Sequence, residues 1–203
     1  MRRTVRTGFK TTVILVGLGF LATARAQEMA AKPQPERYSG IITVANAPER
    51  GIIHVRLTLE RLSTDDERKT YVEAIKAKGS EGLAAAMEKV TVGYIQFEQN
   101  LRYPLAYAIK VPTENGEMIR VATNRPISYE ERTDGFVSKE YSIGVMELKF
   151  PKDGPGEGAI LAAAKVDFNE KGELEVRSLP QNTGPQRVSQ IQREEVKAKK
   201  KKD

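Results

Sequence analysis

Hydrophobic and polar positions alternate with period two along most of this chain, and only one stretch breaks the habit. Ile53, Val55, Leu57 and Leu59 alternate with His54, Arg56, Thr58 and Glu60, the pattern of a strand with one buried face. Similar runs predict strands over 38–46, 91–97, 105–111, 118–125, 141–150, 160–168 and 174–178. The exception is 63–89. Thr64 followed by Glu67 fits a capping box, Asp65 and Asp66 suit the positive end of a helix, and Tyr71, Val72 and Ile75 form a narrow apolar stripe. Gly79 is placed to end that helix and Ser80 to start a second one carrying Leu83, Ala86 and Met87. The pattern predicts a mainly β domain: about eight antiparallel strands in meander order, as a curved sheet, sandwich or partly open barrel, with one helix-pair insertion.

Two hairpins can be given a register. If one face of each strand is buried, Val111 should meet Ile119 and Ile109 should meet Val121, which requires a three-residue loop, Glu114-Asn115-Gly116. The opposite face would then set Lys110 against Arg120, a like-charged pair readable as a solvated outer face or as an anion site. The same device fits the second hairpin: a Glu170-Lys171-Gly172 loop lets Phe168 face Leu174 and Val166 face Val176. On that face Ala162 and Ala164 are small. They could leave room for an apolar ligand beneath the helix pair, or let the helices pack closely.

The two ends differ from the body. Arg2, Arg3, Arg6 and Lys10 precede an apolar run, Val13 to Ala22, and Ala24-Arg25-Ala26 offers the small residues of a cleavage site. The run is shorter than the ~20 residues of a membrane helix. A signal peptide over 1–26 is therefore expected, with export by the general secretion route to the periplasm or beyond and no transmembrane segment once it is removed. Residues 27–36 form a polar leader, 37–179 the domain, and 180–203 a polar, Lys-rich tail ending in four lysines before Asp203. Net charge is +6, but residues 1–26 hold five of the Lys and Arg and no acid, while positions 27–192 carry 22 basic against 24 acidic side chains. The basic excess thus belongs to the ends and gives no footprint for nucleic acid. With 0 Cys there is no disulfide, no thiol redox chemistry and no cysteine-held metal.

Chemical motifs are scarce. Asp167-Phe168-Asn169-Glu170-Lys171-Gly172 starts like a calcium loop, but Lys171 stands where an oxygen ligand belongs and no glutamate follows at the twelfth position. The glycine-rich 153–158 lacks the lysine of a phosphate loop, and the single histidine, His54, falls on a polar strand face. No catalytic residue, cofactor or metal site is assigned. The absence of Trp and the few Tyr and Phe argue against stacking platforms for sugars or bases.

Met118-Ile119-Arg120-Val121-Ala122-Thr123-Asn124-Arg125-Pro126-Ile127, then Val145-Met146-Glu147-Leu148, then Gly156-Glu157-Gly158 before Ala162-Ala163-Ala164-Lys165, resembles a family of secreted bacterial proteins without an assigned activity. The resemblance covers about the last 90 residues and implies export and a shared fold, but no site. The expected function is that of an exported, non-enzymatic binding or structural module of the cell envelope, meeting a protein or envelope component through sheet edges or the Lys tail. A carrier of a small apolar ligand, and an enzyme with carboxylates brought together in space, are the alternatives.

Overall fold

The computed structural model describes residues 34–43, 51–98, 101–127, 139–181 and 183–194. The expected signal peptide, most of the leader and the terminal lysines lie outside the described residues. Among the described residues, ten antiparallel strands form one sheet: β1 Glu36–Thr43, β2 Ile52–Leu59, β3 Gly93–Phe97, β4 Leu101–Leu105, β5 Tyr107–Thr113, β6 Gly116–Thr123, β7 Ile143–Pro151, β8 Gly156–Phe168, β9 Leu174–Ser178 and β10 Gln186–Glu194. Their order is β4-β3-β2-β1-β10-β8-β7-β6-β5, with β9 added to the far half of β8. The helix α1, Asp65–Met87, lies between β2 and β3 in the chain.

The hydrogen-bonded path is open, since no ladder joins β4 to β5 among the described residues. Its two ends are nevertheless consecutive in the chain. Only Ala106 separates Leu105 from Tyr107; the Leu105 carbonyl accepts from Val92 N–H, while Ala106 N–H donates to the Ala122 carbonyl of β6. At that residue the chain leaves one end of the path and enters the other. A single core accordingly gathers Val55 and Leu57 of β2 with Val121 of β6 and Leu148 of β7, from strands far apart along the path. Tyr38 of β1 packs on Phe150 of β7 with ring centroids 5.2 Å apart. One face of the sheet therefore contributes residues from both ends of the path to this first core.

The other face builds an apolar layer along β5–β8. There Tyr107, Ile109, Ala122, Ile143 and Val145 form a second core with Tyr71, Leu83 and Met87 of α1 and Phe168 and Leu174 of the last hairpin. Thr64 caps α1 as expected: its side chain accepts from Glu67 N–H at 3.2 Å, and Glu67 Oε2 accepts from Thr64 N–H at 2.9 Å. The expected helix pair is one helix with a kink. Lys78 (φ −139°, ψ 16°) and Gly79 (φ 61°, ψ −149°) leave helical geometry, yet the chain resumes its helix directly. A glycine that can adopt positive φ permits a sharp bend without a connecting loop.

The strand count also needs correcting from about eight to ten. Two strands fall where a loop and a polar tail are expected. β4 contains Pro104, tolerated because β4 ends the path and its outward edge needs no donor. β10, placed in the expected tail, sits centrally between β1 and β8. Its buried apolar residues, Val188 and Ile191, are three apart because the ladder shifts register between them and Gln190 takes φ 52°. That bulge hides the period of two.

Of the two hairpin registers, the second is as expected: Phe168 pairs with Leu174 and Val166 with Val176, with Gly172 at φ 69°. The first is not. Thr113 pairs with Gly116 around a two-residue loop, so Val111 meets Met118, Lys110 meets Ile119 and Ile109 meets Arg120. The premise of one buried face fails here, because Ala108 enters the first core while Tyr107 and Ile109 enter the second. Gly116 has φ 152°, and a Cβ there would stand 1.9 Å from the Phe150 carbonyl oxygen, so the neighbouring strand excludes any side chain.

Candidate binding surfaces

The corrected register puts Lys110 and Arg120 on opposite faces of the sheet, and each has a carboxylate of its own. They form no common anion site. Lys110 Nζ donates to both oxygens of Glu36, at 2.7 and 2.8 Å. Glu36 also accepts from Arg193 at 2.6 Å and from the Tyr38 hydroxyl, and Arg193 donates to the Tyr38 oxygen at 3.0 Å. Partial burial would by itself raise the Glu36 carboxyl, but the hydrogen bonds from Lys110, Tyr38 and Arg193 outweigh it and hold the pKa at about 2. Burial, with the Glu36 carboxylate beside it, pushes the Tyr38 hydroxyl well above its ordinary value. This cluster ties β1, β10 and β5 together. On the other face Arg120 Nε donates to Glu147 at 2.7 Å and its Nη1 to the Leu174 carbonyl. Leu174 N–H donates to the Tyr107 hydroxyl oxygen at 2.9 Å, and burial pushes that hydroxyl up to about 12. Arg120 thus fastens the last hairpin to the sheet.

Ala162 and Ala164 do not share one regular face. A register shift between Ile143 and Val145 of β7 leaves Ile143 opposite Ala164 but Val145 opposite Leu161, so Leu161 and Ala164 both reach the second core. Ala164 is fully buried there, against a helix whose Tyr71, Leu83 and Met87 are 1%, 0% and 0% exposed. Tyr71 donates its hydroxyl proton to the Ala106 carbonyl at 2.8 Å. The space between helix and sheet is occupied by side chains, and Ala164 packs among them while Ala162 belongs to neither core.

The described clefts lie at the margins of this layer. One, about 680 Å³, lies between the α1 kink, the 3₁₀ turn Lys139–Tyr141 and the β8–β9 hairpin. Another of about 510 Å³ runs between the first turns of α1 and the 169–172 loop, and one of about 260 Å³ opens on the outer side of β7, β8 and β10 beside Glu147. Among the described residues, no three of His, Cys, Asp and Glu come together as a metal-holding group, and no helix is long and apolar enough to cross a membrane.

The outward face of β1–β4 differs from that of β5–β8. Ladder registers align Gln192, Ser39, Arg56, Gln96 and Arg102 in one row across five strands, and Glu194, Arg37, Thr58, Tyr94 and Pro104 in the next. Arg37, His54, Arg56 and Arg102 are exposed. Arg102 stands over Tyr94, its guanidinium carbon 3.5 Å from the ring centroid, and Arg56 Nε donates to Glu194 at 3.3 Å. These contacts give two exposed arginines defined neighbours on this face. Strand alternation predicts Arg56 and His54 on an outer face, but the row needed β4 and β10, which the pattern conceals. Compared with known proteins, the chain matches no family model, no curated protein and no solved structure.

Proposed function

We propose that the protein is an exported, non-enzymatic binding module of the bacterial cell envelope, and that it meets a protein or envelope component through the outward face of β1–β4. In this reading the sheet is a partly open barrel whose two ends meet at Ala106. The observation that carries the proposal is the asymmetry of the outer surface. Along β5–β8 that surface packs under α1 and β9, whereas along β1–β4 it presents Arg56 and Arg102 already oriented by Glu194 and Tyr94. Preorganised arginine forks suit carboxylate or phosphate groups, because little side-chain entropy is lost on contact.

The path ends are poorer candidates than the face. β4 contains Pro104 and β5 contains Pro112, each a missing donor, and Ser63 occupies both backbone groups of Ala108 on β5: its Oγ accepts from Ala108 N–H at 3.0 Å and its N–H donates to the Ala108 carbonyl at 2.8 Å. Such blocking discourages strand addition. The filled helix–sheet interface favours a module over a carrier. The export reading rests on the sequence of residues 1–26.

Native mass spectrometry of the protein recovered from its own exported fraction, without detergent, tests this reading. The expected mass begins at Gln27 and carries no small apolar adduct. A mass that retains residues 1–26 would contradict export by cleavage, and a reproducible apolar adduct released on denaturation would contradict the module reading in favour of a carrier.

A further inference from the structure

The kink in α1 does more than bend the helix. On a regular helix residues two apart point to nearly opposite sides, yet Lys76 and Lys78 line the same cleft of about 680 Å³. They do so because Lys78, at φ −139°, has left helical geometry, and Gly79, at φ 61°, turns the chain before the helix resumes. Gly79 has nothing within 4 Å of where a Cβ would stand, so packing leaves room for a side chain there; positive φ is what favours glycine.

The cleft is built from three elements that ion pairs fasten to one another. Glu81 of α1 meets Lys139 of the 3₁₀ turn at 2.6 Å, Glu140 meets Lys165 of β8 at 3.6 Å, and Asp167 of β8 meets Arg177 of β9 at 3.2 Å. Ser80 adds a hydrogen bond from its hydroxyl to the Glu140 carbonyl at 3.2 Å. Each of the three carboxylates is thereby matched with one of three cations. Lys76 and Lys78 are left over, and neither has an ion-pair partner among the described residues. Ile75 and Val166 supply apolar lining. A volume of this size falls within the roughly 300–1,000 Å³ of small-molecule sites.

We propose that this cleft binds a small organic dianion, a phosphate monoester or a dicarboxylate with a short apolar part, its charge between Lys76 and Lys78 and its apolar part on Ile75 and Val166. The exposed pairs leave the rim's other charges matched, and the two surplus cations supply the attraction. This site is independent of the β1–β4 face, so either proposal can fail alone.

The test titrates the full mature chain, at low salt, with phenyl phosphate, phthalate and inorganic phosphate, following amide shifts by NMR. Saturable shifts confined to residues around Ile75–Glu81, Lys139, Glu140 and Val166 are expected with phenyl phosphate or phthalate, and weaker binding with inorganic phosphate, which has no apolar part. Preference for one of the first two identifies the anion class. The double variant Lys76→Met, Lys78→Met should keep the wild-type melting temperature and weaken binding by roughly tenfold or more, as loss of charge-assisted contacts requires. Lys69→Met, on the first turns of the same helix, should leave it unchanged. No saturable shift at this cleft with any of the three probes, or equal weakening by Lys69→Met, would overturn the proposal.

Discussion

Glu36 shows how much a single side chain can join. Its carboxylate, the first residue of β1, accepts from Lys110 of β5, Arg193 of β10 and Tyr38 of its own strand, three groups far apart in sequence. Its depressed pKa of about 2 makes it a source of acid sensitivity. The folded value lies below the ~4.3 of an unperturbed glutamate, so its contribution is fully present above pH ~4.3 and is lost as pH falls through about 2. The carboxylate is about 38% exposed, and solvent screening limits the size of that contribution. Glu36→Gln is expected to lower stability at neutral pH and to flatten the fall in stability between about pH 4.3 and 2. Urea unfolding at pH 6 and pH 3 measures both effects; equal pH dependence in variant and wild type would show that Glu36 is not the titrating group. Nothing in the sequence marks this residue, because a polar leader position acquires its partners only when distant strands meet. Lys110 and Arg120 illustrate the converse. Their residue types are plain, but their relation depends on a register that holds only if one strand face is buried, and β5 buries both.

Among the elements, those with an unbroken period of two and one solvent face are legible from the chain. β2 alternates as expected, with Ile53, Val55, Leu57 and Leu59 buried, and the capping box of α1 and the register of the β8–β9 hairpin follow from local residues alone. β10 is hidden for a physical reason: a bulge moves its two buried residues to a spacing of three and surrounds them with polar groups. The helix kink is hidden differently, since Lys78-Gly79 reads as an ending and becomes a bend only because Leu83 and Met87 beyond it find the second core. If β10 is a central strand and no part of a solvated tail, a chain ending at Pro185 should lose its cooperative unfolding transition, because β1 and β8 would each lose a ladder and the first core would lose Val188 and Ile191. A sharp thermal transition retained by that shortened chain, followed by circular dichroism, would contradict the placement.

Among the described residues, one face of the sheet carries a first core and the other carries a second core along β5–β8 only. The covered half holds the helix, the last hairpin and the kink cleft; the other half offers the arginine rows. This division follows from where the apolar outward residues fall. Tyr107, Ile109 and Val145 invite a covering layer on β5–β8, while Ser39, Arg56, Gln96 and Arg102 on β1–β4 do not. The fold class was legible in the chain's alternation, but the rows were not, since they exist only through ladders between strands that include the two concealed ones. The most telling measurement places a photoreactive side chain at Gln96, centred between Arg56 and Arg102, and at Lys152 in the β7–β8 turn as a control, and irradiates the intact cells that produce the protein. Recognition through this face predicts one discrete adduct from the Gln96 position, abolished by Arg56→Glu with Arg102→Glu, and none from the Lys152 position. No adduct from Gln96, or the same adduct from both positions, would contradict recognition through the β1–β4 face.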